Sequence, residues 1–231
     1  ALEAIFISLN VKRGDEVIMP SFTFSSTANA VALRGATPVF VDIAYPTMNI
    51  DPSKIEAAIG EKTKAILVVH YAGIAAQMHT ILEIGKRHNL PVIEDAAQCF
   101  GAFFDGQHLG SMGLAGTFSF HHTKNITCGE GGAIITSSNN LNDKIQIIAE
   151  KGTNRDAFLA DIVSKYEWVD LGSSYILSEI SAALLSSQLK DWRTISANRL
   201  DRWNHYHDSF KKLDSHKIKL PEIPDNAEHN G

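Results

Sequence analysis

The chain has 231 residues, of which 44% are hydrophobic and 20% charged, and its formal net charge is −5 at pH 7. This length suits one large domain or two small ones, and the acidic balance argues against a nucleic-acid-binding surface. The longest apolar runs are only as long as β-strands, so we expect no membrane-spanning segment.

The sequence begins inside a predicted helix and ends inside a polar connector. Residues 1–9 have the apolar spacing of a helix but lack an N-cap, and residues 220–231 form a polar connector that no element follows. We therefore expect a chain cut from a longer one. Cys99 and Cys128 are too few for a disulfide framework or a metal site, and no basic leader precedes the first helix, so a cytoplasmic location is predicted.

Strand and helix patterns alternate along residues 16–95. Apolar runs predict strands at residues 16–19, 37–42, 65–69 and 92–95, and helical patterns predict helices at 28–33, 51–60 and 78–88. Asp51 and Pro52 make a favourable helix start, whereas residues 21–27, rich in hydroxyls and aromatic rings, are interpreted as a loop. Strands and helices at this spacing predict an α/β fold with a mostly parallel sheet and helices on both of its faces.

Shorter turns replace this alternation after residue 95. Asp105 and Gly106 predict a hairpin turn, and apolar runs predict strands at residues 115–120 and 132–136. Helices are predicted from Asn140, over residues 180–189 and over residues 192–213, whereas residues 151–155 and 166–175 are predicted to be loops. We find no internal repeat that would indicate a solenoid.

An acid and a lysine stand at the ends of two predicted strands. Asp95 closes the strand at residues 92–95, and Lys124 lies between the aromatic strand and the glycine-rich turn at residues 129–132. In a pyridoxal phosphate (PLP) site a lysine bonds covalently to the cofactor and an acid pairs with its ring nitrogen. A single lysine is usually a solvated surface residue, and Asp95 alone could be a turn cap, so the prediction depends on the two together.

Five segments carry a family resemblance, in order across nearly the whole chain. They read GDEVIMP at 14–20, FTFSST at 22–27, EDAAQ at 94–98, FSFHHTK at 118–124 and GEGG at 129–132. Each segment is weak alone, but together they resemble the DegT/DnrJ/EryC1/StrS sugar aminotransferases, which are fold-type I PLP enzymes. The resemblance implies that residues 1–231 form a PLP-binding large domain, with residues 192–231 leading toward a C-terminal small domain.

The resemblance also implies roles for individual residues. Lys124 would hold the cofactor covalently and shuttle a proton, and Asp95 would keep the pyridine nitrogen protonated. Phe24 would stack on the ring, Gln98 would lie beside the ring oxygen, and Ser119 would bind the phosphate. Ordinary core packing remains an alternative for Phe24, and a strand serine without a ligand remains one for Ser119.

The implied reaction is transamination, with glutamate as the amino donor and a nucleotide-linked 4-keto-6-deoxyhexose as the acceptor. A UDP-linked 4-keto sugar, a 3-keto sugar and a non-catalytic relative stay open as alternatives. The family implies a homodimer with shared sites, in which residues 151–175 lie near the partner or the nucleotide. His121 and His122 are interpreted as neighbours of the site. We exclude a dinucleotide-binding dehydrogenase because Met19 is followed by PSFTF and not by a G-x-G-x-x-G turn.

Overall fold

The computed structural model describes residues 1–213 and 216–231, which contain a six-stranded sheet with the order β10-β9-β6-β5-β1-β2. The strands are β1 Glu16–Pro20, β2 Thr37–Val41, β3 Ile43–Ala44, β4 Asn49–Ile50, β5 Thr63–Val69, β6 Val92–Asp95, β7 Phe103–Phe104, β8 Gln107–His108, β9 Ala115–Ser119, β10 Gly132–Ile135 and β11 Ala227–Glu228. Neighbouring strands of the large sheet are parallel, except that β10 runs antiparallel to β9.

The helices are α1 Leu2–Ser8, α2 Ser25–Ala32, α3 Met78–Arg87, α4 Asn139–Ala149, α5 Arg155–Leu159, α6 Glu179–Lys190 and α7 Trp192–Phe210. Ser178 caps α6, because its side chain accepts a hydrogen bond from the Ser181 N–H. Helix α7 ends at Phe210, three residues before the predicted end at Leu213. Within the described residues, no helix is both long and apolar enough to cross a bilayer.

The sheet separates two apolar cores, because successive side chains of a strand point to opposite faces. In β5, Leu67 packs in the core that holds Phe6 of α1 and Val31 of α2. Its neighbour Val68 packs in the other core, together with Ile81 of α3. The predicted α/β architecture, with a mostly parallel sheet and helices on both faces, is therefore confirmed.

Residues 51–60 form two short 3-10 turns, Pro52–Lys54 and Glu56–Ala58, so the helix predicted there is wrong. The capping signal itself is real, since Asp51 Oδ1 accepts hydrogen bonds from Ser53 N at 3.0 Å and from Ser53 Oγ at 2.6 Å. The backbone becomes extended at Ile59, so the two 3-10 turns end there and do not continue into an α-helix.

Helix α2 begins at Ser25, so the predicted loop at residues 21–27 is too long by three residues. Phe24 becomes the N-cap residue, and Thr27 falls on the buried side of the first helical turn. This earlier start matters for the site, because it turns the Thr27 hydroxyl toward the end of β6.

Candidate active site

The carboxyl ends of the parallel strands lie at one edge of the sheet, where ligands usually bind in such folds. A cavity of about 760 Å³ opens at this edge. All the residues predicted for the site line this cavity: Phe24, Asp95, Gln98, Ser119 and Lys124. The structure thus brings together residues from the segments that follow β1, β6 and β9.

Asp95 is a buried carboxylate at the inner wall of the cavity, with 7% of its surface exposed. Its Oδ2 accepts a hydrogen bond from Thr27 Oγ1 at 2.7 Å, and its Oδ1 accepts one from the Ala97 N–H at 3.2 Å. Burial raises the pKa of Asp95, and these hydrogen bonds, together with the positive charge of Lys124, offset only part of that effect. A cation placed against the carboxylate would remove the remaining penalty.

Thr27 is a site residue that the sequence analysis missed. Its hydroxyl lies 2.8 Å from that of Thr23, which precedes α2, so the two hydroxyls form a chain that ends at Asp95. The signal in the sequence was the hydroxyl-rich run after β1, which by itself does not say which hydroxyl faces the carboxylate.

Lys124 is partly buried on a turn that leaves β9, and its N–H donates to the His121 carbonyl at 2.9 Å. Ser119, the last residue of β9, accepts a weak hydrogen bond from the His121 N–H at 3.4 Å. Lys124 also lines a second, larger cavity of about 1020 Å³, as do Gln98 and Ser119. These side chains therefore form part of the wall between two cavities.

The surroundings of Phe24 and Gln98 bear on their predicted roles. Phe24 is 73% exposed, which rules out core packing and leaves its ring uncovered at the cavity. Gln98 Oε1 accepts a hydrogen bond from the Ala72 N–H at 2.6 Å, so this side chain also holds the turn after β5. The roles of both residues toward a cofactor remain predictions.

A fully buried pair, His70 and Glu94, lies beside Asp95 in the fold and was not predicted. His70 Nδ1 accepts from the Ala76 N–H at 3.1 Å, so its Nε2 carries the proton and donates to Glu94 Oε2 at 2.9 Å. Burial alone would raise the pKa of Glu94, but His70 and the backbone N–H groups of Gly110 and Gly113 outweigh it and lower the pKa. The sequence signal was an acid inside an apolar strand, which requires a buried partner.

His121, His122 and Glu130 form a polar group near Lys124. Their possible ligand atoms lie within 4.8 Å of one another, which is close enough for a metal ion. His122 and Glu130 are exposed, however, and His121 Nδ1 is already hydrogen-bonded to Thr123 Oγ1 at 2.9 Å. We interpret these side chains as solvated neighbours of the site, a position that the sequence analysis gave to His121 and His122 but not to Glu130.

The residues of the cavity fit PLP by their chemistry. Asp95 offers a buried carboxylate that a pyridinium nitrogen would neutralise, and Lys124 offers an amine for the aldehyde. Ser119 offers a hydroxyl for phosphate, and the uncovered ring of Phe24 can lie against a flat heterocycle. The cavity volume lies in the range of small-molecule sites.

Comparison with known proteins decides the family. The model of the DegT/DnrJ/EryC1/StrS aminotransferase family matches residues 1–230. The chain belongs to this family. Enzymes of the DegT/DnrJ/EryC1/StrS family depend on PLP, so the cofactor predicted from Asp95 and Lys124 is the one that the family carries.

Solved structures show the same DegT/DnrJ/EryC1/StrS fold. DesV from S. venezuelae, solved in complex with a ketimine intermediate, is 32% identical with a TM-score of 0.89, and the match covers 99% of this chain and 59% of DesV. Spr1654 from Streptococcus pneumoniae in its PLP form is 28% identical with a TM-score of 0.86. The match covers 100% of this chain and 62% of Spr1654. A 3-amino-5-hydroxybenzoic acid synthase is 32% identical with a TM-score of 0.91, covering 99% and 58%. The chain spans about three fifths of the length of these structures.

Proposed function

We propose that residues 1–231 form the PLP-binding large domain of an aminotransferase that moves an amino group from glutamate to the keto group of a nucleotide-linked sugar. The observation that carries the proposal is the placement of Asp95 and Lys124 on one cavity at the carboxyl edge of the sheet. The family membership of the chain supports it independently.

Each site residue has a role in this proposal. When bound, PLP supplies an electron sink for the negative charge that develops on the carbon bearing the transferred amino group. Asp95 holds the proton on the ring nitrogen, because a carboxylate beside that nitrogen favours its charged form. Lys124 holds the cofactor covalently and then moves a proton at the reacting carbon with its Nζ. Phe24 covers the ring, Gln98 lies beside the ring oxygen, and Ser119 binds the phosphate.

For the acceptor we propose a dTDP-linked 4-keto-6-deoxyhexose, which would give dTDP-4-amino-4,6-dideoxygalactose. The transaminase that forms this sugar for enterobacterial common antigen, a polysaccharide, has similar segments to residues 17–24, 47–51, 70–73, 151–155 and 171–175 of this chain. A UDP-linked 4-keto sugar or a 3-keto sugar is the alternative. The fold does not choose among acceptors, since the 3-amino-5-hydroxybenzoic acid synthase shares it.

We also propose a cytoplasmic homodimer with shared sites. Large apolar side chains of residues 158–184, which we call the 158–184 surface, are exposed: Phe158, Leu159, Ile162, Tyr166, Trp168, Val169, Leu171, Tyr175, Ile176, Ile180 and Leu184. An apolar segment of this extent on a protein surface usually marks a contact with another protein. A second copy of the chain is the partner that the family suggests.

The test uses the whole protein and its visible absorption spectrum with PLP, before and after glutamate is added. We expect a band of lysine-bound cofactor that glutamate converts with release of one equivalent of 2-oxoglutarate, and continued release once a 4-keto sugar nucleotide is supplied. The Lys124→Ala variant should lose this band and all turnover. Steady-state turnover in that variant, or a wild-type protein that takes up no PLP, would contradict the proposal. A comparison of turnover with dTDP-linked and UDP-linked acceptors decides which nucleotide the enzyme uses.

A further inference from the structure

Asn230 is buried although it lies in the segment that follows α7. Only 2% of its surface is exposed. Its Nδ2 donates two hydrogen bonds, to the carbonyl oxygens of Gln98 at 2.8 Å and Phe100 at 3.0 Å. Both acceptors belong to the turn that leaves β6 directly after Asp95, so a distant residue closes the turn on which Gln98 sits.

The same residue meets two further turns at this edge of the sheet. Its Oδ1 lies so close to Gly73, in the turn after β5, that a Cβ on this glycine would stand 2.2 Å from it. Its backbone carbonyl accepts a hydrogen bond from Asn125 Nδ2 at 3.3 Å, directly after Lys124. Asn230 therefore contacts the turns that follow β5, β6 and β9, and the last two carry predicted cofactor residues.

We propose that Asn230 is a positioning residue for PLP, an inference that rests on the proposed function. It touches no reacting atom. It fixes the distance between the turn that carries Gln98 and the turn that carries Lys124. Its side chain holds the first turn, and its backbone carbonyl holds the second. Without the Nδ2 donor, the carbonyls of Gln98 and Phe100 lose their partner and the turn after Asp95 is free to move.

Asn226 provides a matched control on the same segment. Its Nδ2 donates to Asp105 Oδ1 at 2.7 Å, and its carbonyl accepts from the Asp105 N–H at 2.9 Å. Asn226 also ties the segment to the body of the protein, but it contacts the β7–β8 hairpin and lines neither cavity. A role in fastening the segment would be shared by both asparagines, whereas a role in placing PLP belongs to Asn230 alone.

The experiment measures the PLP dissociation constant of the whole protein by absorbance, with thermal unfolding of the cofactor-free form in parallel. We expect Asn230→Ala to weaken PLP binding at least tenfold and Asn226→Ala to change it less than twofold, even where both lower the melting temperature. Equal changes in the two variants would overturn this inference and leave the proposed function standing. A wild-type protein that takes up no PLP would contradict both.

A second variant, Asn230→Asp, tests the donor itself and keeps the shape of the side chain. Its carboxylate would face the two carbonyl oxygens, so PLP binding should be weak at pH 8 and should recover as the pH falls and the new carboxyl takes up a proton. The other titratable side chains of the larger cavity are the same in Asn230→Ala: Tyr45, Tyr71, Lys124, Arg199, Lys211, Lys219, Glu222 and His229. The difference between the two titrations therefore belongs to the new carboxyl. If the ratio of the PLP affinities of Asn230→Asp and Asn230→Ala stays constant as the pH falls from 8, the proposal is overturned.

Discussion

Asp95 is held in a state that costs the cofactor-free protein stability. Burial raises the pKa of Asp95 in the folded protein. Its contribution to stability is therefore complete below the pKa of the unfolded chain and is lost as the pH rises through the pKa of the folded protein. We expect Asp95→Asn to remove this loss, so that the cofactor-free variant is relatively more stable at pH 8 than at pH 5. The same variant should bind PLP at least thirtyfold more weakly, since removing one partner of a buried charge pair costs about 2 kcal/mol or more.

Thermal unfolding between pH 5 and pH 8, together with PLP titrations, checks both parts of this prediction. Parallel stability curves for the variant and the wild type would show that Asp95 carries no burial penalty. Unchanged PLP affinity would remove it from the site.

The contribution of Glu94 to stability depends on pH in the opposite direction. Its Oε1 accepts from the N–H groups of Met112 at 2.7 Å and Gly113 at 2.6 Å, and its Oε2 accepts from Gly110 at 2.8 Å as well as from His70. We expect Glu94→Ala to lower the free energy of unfolding by about 3–5 kcal/mol, because these donors lose their only charged acceptor. Since the pKa of Glu94 is lowered, the contribution is present above the unfolded pKa and disappears as the pH falls through the folded value.

Urea unfolding at neutral and acidic pH measures this contribution. Glu56→Ala is the control, because Glu56 bonds Arg87 and His88 on the surface and its removal should change little. A Glu94 variant as stable as the Glu56 variant would show that the buried network stabilises nothing.

Strand β9 passes closer to its surroundings than a side chain allows. A Cβ on Gly116 would stand 2.0 Å from the Gly110 carbonyl oxygen, and β9 is fixed between β6 and β10. We expect Gly116→Ala to destabilise the protein by at least about 1–3 kcal/mol and to weaken PLP binding, because a displaced β9 moves Lys124 away from Asp95.

Gly60→Ala is the matched control for this strand. The atom nearest to a Cβ there is Glu16 Oε2, 4.0 Å away, so the expected change is within about 0.5 kcal/mol. Chemical denaturation and PLP titration of the two variants make the comparison. Equal stability of the two variants would mean that β9 can shift without cost.

Elements of the sheet were predictable from the sequence because their signal is local. Apolar runs gave β1, β5 and β6 to within two residues at each end, since strands buried on both faces have few polar interruptions. The helix at residues 51–60 was wrong because a cap fixes where a helix begins but not how far it runs.

The site residues, too, were predictable only where their signal in the sequence is local. The placement of Asp95 and Lys124 on one cavity was predictable, because one ends a strand and the other follows a strand at the edge where parallel sheets gather ligands. Thr27 and Asn230 were not, because their partners lie 68 and 132 residues away along the chain. Which hydroxyl or amide reaches across the edge is decided by packing between helices, strands and the last segment, and a single sequence does not encode that as a pattern.

The whole molecule presents the 158–184 surface to solvent, and Ile180 on α6 is 85% exposed. If this surface joins two copies, Ile180→Asp should leave the fold of each copy intact and convert the dimer into monomers, because a charge in an apolar interface loses its hydration. Sedimentation of the whole protein measures the mass. Phe40→Asp, on the edge strand β2 and also exposed, should remain dimeric; a dimeric Ile180 variant would place the interface elsewhere.

The order of the strands also sets when the site can exist during synthesis. Thr27, Asp95 and Lys124 come from three segments, and the third reaches the others only when β9 pairs with β6. This parallel pairing, for example of Asp95 with Thr117, requires the crossover between the two strands to be complete. A nascent chain therefore offers no complete pocket until Lys124 has left the ribosome and β9 has docked. PLP then stabilises only molecules that have finished the sheet, so cofactor capture is a late step that favours the completed fold over partly folded chains.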